Sequence, residues 1–250
     1  MLTHPATGEG YLVWQGKSGS ELVRFRPSNG DTIATLALGD VPAAAFVAAA
    51  VDPVRQWLFL LSDKALLGVD LAANRVAPPS PFAGGVDLAI EPRRGLGVLP
   101  HRGGAVTLVD LASWRAYELP LEPPHSRSAS AVAVDSEQGR AWVVAGRELA
   151  EIDLEARQFV RWQAFEPERD LAGARLAVAA ACRRLYIACG ELLEVDLDSG
   201  QWESLLAPVS CPAPVAHAPN LGLLVSVQNG IPWASYQRCP AATMPDSTSR

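Results

Sequence analysis

Four aspartates recur in one setting. Asp70 stands in GVDLAANR, Asp110 in LVDLASWR, Asp153 in EIDLEARQ and Asp196 in EVDLDSGQ, at intervals of 40, 43 and 43 residues. Each ends a short apolar run and opens a polar turn. Arginines recur beside them: Arg55, Arg94, Arg140 and Arg184 precede the four runs, and Arg75, Arg115 and Arg157 follow three of the aspartates. Two chemistries fit this pattern. A ring of acids on one face can hold a metal, and a ring of arginines can hold an anion. Alternatively each Asp accepts hydrogen bonds from the backbone N–H groups of its own turn and pairs with a nearby Arg. The repeat favours the second, because a residue repeated four times marks a structural unit before it marks a site.

A second element precedes each aspartate with the same period. AAAVDPVRQWLFLLS starts at Ala48, LAIEPRRGLGVLP at Leu88, VAVDSEQGRAWVVA at Val132, AVAAACRRLYIA at Ala177 and VAHAPNLGLLVSV at Val215. Each is a small-apolar strand, a tight turn and a second apolar strand. One full unit therefore reads as four short strands, near 44–51, 57–62, 65–71 and 75–80 in the second unit. Short strands separated by Gly, Pro, Asn and Asp turns indicate antiparallel β structure. A four-stranded sheet returning every 40-odd residues is the signature of a β-propeller blade. Helical spacing is absent apart from an ambiguous Ala-rich run at 43–50.

The D-P-x-x-x-x-apolar and V-D-L elements resemble those of the YVTN-type and NHL-type propeller repeat families, and WD-repeats more distantly. The resemblance covers about residues 10–236. It implies an all-β propeller of four-stranded antiparallel blades, and it says little about function, because such folds present binding faces and also host enzymes. The expected blades span about 10–40, 44–80, 86–121, 130–165, 174–207 and 213–236 of one domain, 1–236. Residues 237–250 read as a disordered tail. The first and last pieces offer three strands each, roughly 22 in all. This fits six blades with an incomplete closing seam, and five blades with two extra strands is the alternative.

With strands A to D numbered from the axis outward, the A–B and C–D turns share one face and the B–C and D–A loops the other. The repeated aspartates point to the first face. The D–A loops PPSPFAGG, LPLEPPHSRSAS, FEPERDLAGA and APVSCPAP are long, varied and Pro-rich. Loops held by a rigid scaffold are where binding residues concentrate. His101 and Arg102 lie in a B–C turn and His125 and Arg127 in a D–A loop, so all four belong to the second face. They form a candidate partner or anion site.

No G-x-S-x-G elbow, H-E-x-x-H or phosphate-binding Gly loop occurs. TGEGYLVW resembles the start of gluconolactonase-type propellers, which implies Glu9 as a metal ligand. Those enzymes need further Asn and Asp ligands, and this chain has four Asn, two of them in turn sequences (PSNGD, LAANR). The seven Trp do not fall at one repeat position, unlike the docking motifs of quinone-cofactor propellers. No catalytic residue, metal or cofactor is expected. Cys182, Cys189, Cys211 and Cys239 match no metal-binding spacing. The first two read as buried thiols, and a Cys211–Cys239 disulfide needs an oxidising compartment.

The chain of 250 residues is 49% apolar and 19% charged, with a net charge of −6. That balance argues against nucleic acid as a partner, and no apolar run reaches the length of a membrane span. No secretory leader is visible at the N-terminus, so a cytoplasmic location is expected. The sequence leads to a non-catalytic scaffold that binds a protein through one face of the disc. The alternative is a lactonase-like metal-dependent hydrolase with a site in the central channel. Oligomeric state is open.

Overall fold

The computed structural model describes residues 2–4, 6–16, 19–39, 46–80, 82, 84–121, 128–165, 171 and 173–206, with the strands 215–218, 223–228 and 231–236. These residues form an all-β chain of six antiparallel sheets in series. Sheet one holds β1 (Leu2–Thr3), β2 (Gly10–Gly16), β3 (Gly19–Phe25) and β4 (Thr32–Ala37). Sheet two holds β5 (Phe46–Asp52), β6 (Trp57–Ser62), β7 (Leu66–Asp70) and β8 (Arg75–Val76). Sheet three holds β9 (Ala89–Glu91), β10 (Leu96–His101), β11 (Ala105–Asp110) and β12 (Arg115–Pro120). Sheet four holds β13 (Ala129–Asp135), β14 (Arg140–Ala145), β15 (Glu148–Asp153) and β16 (Gln158–Ala164). Sheet five holds β17 (Arg175–Ala179), β18 (Arg184–Cys189), β19 (Glu191–Asp196) and β20 (Trp202–Leu206). Sheet six has three strands, β21 (Val215–Ala218), β22 (Leu223–Gln228) and β23 (Ile231–Tyr236).

Each strand pairs with the next in the chain, so A, B, C and D remain usable names within a sheet. The A–B and C–D turns lie at one end of each sheet. The B–C turns and the D–A connections lie at the other. The A strands β5, β9, β13, β17 and β21 are neighbours in that order. This architecture is compatible with a propeller.

Strand alternation explains how the sheets stack. In β6, Leu58 and Leu60 join a core with Tyr11 and Leu22 of sheet one, while Phe59 and Leu61 join one with Leu99 and Val109 of sheet three. In β14, Ala141 and Val143 pack with Val98 and Leu108 of sheet three, and Trp142 and Val144 pack with Leu185 and Ile187 of sheet five. A middle sheet is thus covered on both faces, which is why its B strand is buried almost throughout. The D strands β4, β12 and β16 alternate between exposed and half-buried, as strands at an outer edge should.

Three differences from the sequence reading have local causes. Residues 2–3 pair with Tyr11 and Gly10, so the first sheet gains a short A strand and the count becomes 23. Two residues carry no period, which is why this strand was not legible. Cys182 is disulfide-bonded rather than a buried thiol, and Cys189 is half-buried. The AAAC text continues a strand pattern, but Ala180–Cys182 forms a 3-10 turn closed by Arg183 at φ 53°. The expectation for residues 237–250 falls outside the described residues, among which no helix is long and apolar enough to cross a membrane.

Core and rim should respond differently to truncation. Leu60→Ala opens a cavity between sheets one and two and should cost about 2–5 kcal/mol. Val160→Ala, on a strand where the side chain is 43% exposed, should stay within about 0.5 kcal/mol. Chemical denaturation of the two variants checks this, and equal losses would contradict the stacking described.

Candidate functional site

At the A–B/C–D end the charges are used internally. The Oδ1 of each repeated aspartate accepts two backbone N–H groups: Ala72 and Ala73 donate to Asp70, Ala112 and Ser113 to Asp110, Glu155 and Ala156 to Asp153, and Asp198 and Ser199 to Asp196. A second tier, the acids of the repeated element that precedes each aspartate, does the same in the A–B turns. Asp52 accepts from Val54 and Arg55, Glu91 from Arg93 and Arg94, and Asp135 from Glu137 and Gln138. These three acids are buried. In sheet one His4 takes the role, its Nδ1 accepting from Ala6 and Thr7 at 3.2 Å each.

The arginines divide into two kinds. Arg140 and Arg184 open B strands directly opposite Asp153 and Asp196 and pair with them. Trp57 and Leu96 occupy that position in sheets two and three, so Arg55 and Arg94 do not pair with Asp70 and Asp110. They lie within the turns, pair with Asp52 and Glu91, and reach forward. The Arg55 guanidinium donates to Pro92 O of sheet three at 2.6 Å, and that of Arg94 to Glu155 of sheet four. Arg24 likewise donates to Leu71 O of sheet two at 2.7 Å, and Arg161 to Ser199 O of sheet five. Arg183 reaches back from sheet five to Asp135 at 3.1 Å. Glycines make room for these staples. Gly95, Gly139 and Gly200 have positive φ, and a Cβ there would lie within 3 Å of the Arg55, Arg94 and Arg161 guanidinium groups respectively.

Turn hydrogen bonds from Ser199, and then Arg184, bring the Asp196 carboxyl down to about 2. Asp110 and Asp153 are also lowered, chiefly by their backbone donors Ser113 and Ala156. Glu9, the ligand implied by the lactonase resemblance, is taken up in the same way. Burial would raise it, but Arg24 at 2.8 Å and the Tyr11 hydroxyl at 3.2 Å bring it below its usual range. Among the described residues no group of three His, Cys, Asp or Glu is placed to hold a metal. Glu9 is thus committed to Arg24 and Tyr11.

The other end differs. A cavity of about 370 Å³ opens across sheets three, four and five, lined by Val86 and Arg102, by Ser128, Ala129, Ser130 and Gly146, and by Gly173 and Arg175. Arg102 lies in the B–C turn after β10 and Arg175 opens β17. No carboxylate among the described residues is within ion-pair distance of either. Ser130 is the extra residue of a β-bulge, where the pairing steps from Ala129↔Ala145 to Ala131↔Val144. Bulges re-aim a side chain in this way. Its Oγ is buried and has no hydrogen-bond partner, an arrangement that costs about 1–3 kcal/mol unless a ligand or water satisfies it. Asp87 lies behind Val86, its Oδ1 accepting from Leu88 N–H at 2.9 Å and its Oδ2 from Val132 N–H of β13 at 3.1 Å. Burial raises its pKa despite those donors.

Of the four residues proposed for this end, Arg102 lines the cavity. His101 turns away along its strand, its Nε2 2.8 Å from Thr107 Oγ1. His125 and Arg127 lie outside the described residues. Arg175, Ser130 and Asp87 were missed. ARLAVAAA and SASAVAVD read as packing strands, and only the break in alternation at Ser130 hints at the bulge. No family model matches the chain, and no curated protein matches it.

Two outcomes test the turn chemistry. A depressed carboxyl stabilises the fold above the ordinary value near 3.8 and loses that contribution as pH falls toward 2. Asp196→Asn should therefore lower stability at pH 6 and flatten its decline between pH 4 and 2, read by urea unfolding at each pH. Gly139→Ala should cost about 1–2 kcal/mol through its positive φ and the displaced Arg94. The loss should shrink in the Arg94→Ala background.

Proposed function

We propose that the chain is a six-bladed β-propeller that acts as a non-catalytic scaffold and docks a protein partner through its B–C/D–A end. The six sheets in series, their adjacent A strands and the two-sided packing of the middle sheets support the propeller. Closure would bring sheet six against the outer face of sheet one. In β2, Tyr11 and Val13 pack toward sheet two, while Leu12 and Trp14 on the opposite face are 43% and 51% exposed. In a closed ring that face lies against sheet six.

The observation that carries the docking reading is the unequal treatment of charge at the two ends. At the A–B/C–D end a cavity of about 240 Å³ is lined by Arg184, Glu194, Asp196 and Glu203, and its one arginine is already paired with Glu194 and Asp196. At the B–C/D–A end, Arg102 and Arg175 line a larger cavity, and no acid among the described residues pairs with either. Arginine is enriched among residues that dominate protein interfaces, and turns on a rigid sheet scaffold are suited to present it.

Site-directed photo-cross-linking tests this. A photoreactive residue at position 128, beside the cavity, should yield a discrete protein adduct in extract of the source cell. The same residue at position 54, on the opposite end where Val54 is 66% exposed, should not. Adducts of equal yield from both positions, or from position 54 alone, would overturn the docking reading.

A further inference from the structure

We infer that the cavity spanning sheets three, four and five is an oxyanion site, built to take a carboxylate or phosphate group between Arg102 and Arg175. Three independent features converge there. Two arginines line one cavity of about 370 Å³ without a carboxylate partner among the described residues. Elsewhere Arg24, Arg55, Arg94, Arg140, Arg183 and Arg184 each hold an acid. A guanidinium recognises the oxygens of carboxylate and phosphate with its fixed fork of donors.

The second feature is Ser130, the bulge residue of β13, which lines the cavity and whose buried Oγ has no hydrogen-bond partner. Rotation about its χ1 would turn that hydroxyl to donate to a bound anionic oxygen. The third is the position. Val86 and Ser130 stand five residues before Glu91 and Asp135 in successive units, so they are the same repeat position. A serine replaces an aliphatic residue there in the sheet between the two arginines. Asp87 forms no ion pair with either arginine: its two oxygens accept the N–H groups of Leu88 and Val132, although it lies within the field of Arg175. The volume lies within the range of small-ligand pockets. It leaves room for the body that carries the anionic group.

The assignment of that group to an acidic side chain of a docked protein rests on the proposed docking reading; the oxyanion site itself does not. Calorimetric titration with inorganic phosphate and with acetate, at ionic strength matched by chloride, tests it directly on the full chain. Saturable binding of either anion is expected. Arg102→Gln and Arg175→Gln should each weaken it about tenfold, as loss of one charge-assisted contact does, and Ser130→Ala about threefold. Arg26→Gln, at an exposed turn of the opposite end, should change nothing. Circular dichroism confirms that the variants are folded. Binding of acetate supports an acidic side chain as the source, and binding of phosphate alone supports the site with a phosphorylated ligand instead. No binding beyond chloride, or binding that ignores both arginine variants, would overturn the inference. Anion binding without a position-128 adduct would sink the docking reading and leave the site standing. An adduct without anion binding would do the reverse.

Discussion

Among the described residues, eight turns at one end of sheets one to five are closed by a side chain that accepts backbone N–H groups two and three residues on. Asp70, Asp110, Asp153 and Asp196 do this after the C strands, and Asp52, Glu91 and Asp135 do it after A strands. His4 does it in sheet one with a ring nitrogen. Turn donors that would otherwise be orphaned are satisfied locally, so the turn stays short and the register of the flanking strands is set. Register matters unusually here, because a middle sheet is buried on both faces. A slip of one residue would exchange the side chains meant for one neighbour with those meant for the other.

The same end also ties the sheets together. Arg24, Arg55, Arg94 and Arg161 leave their own sheet and donate to backbone or acid on the next. Glycine at positive φ lets three of these guanidinium groups approach the turns. The charges at this end are thus committed to holding the series in place. The opposite end is free of that duty. There the chain passes from one sheet to the next through longer connections, and Arg102 and Arg175 line one cavity without an ion-pair partner among the described residues.

Much of the scaffold was legible. The V-D-L period, the small-apolar A strands and the acidic turns each recur, and strands with that alternation can hardly be arranged otherwise. The site was legible only in part. Arg102 stands out because it sits in a turn after an apolar strand. Arg175 lies 73 residues further on, at the start of a strand whose text, RLAVAAA, announces packing. Ser130 reads as one more small residue until the bulge turns its hydroxyl out of the alternation. His4 escaped because an imidazole nitrogen can do the work of a carboxylate only in a local geometry that no spacing records. The cysteines mislead in the same way, since Cys182 continues a strand pattern in sequence and sits in a 3-10 turn in space.

Sequence alone determined the unit: four short antiparallel strands, an aspartate that closes its own turn, and the alternation that prepares each middle sheet for two neighbours. These are local properties, set by side chains acting on backbone within a few residues. Only the tertiary structure decided which arginines are spent on holding sheets together and which are left over. Pairing of a guanidinium depends on what the neighbouring sheet brings within about 3–4 Å. That distance is fixed by stacking, and stacking brings together residues that lie 40 to 70 positions apart in the chain.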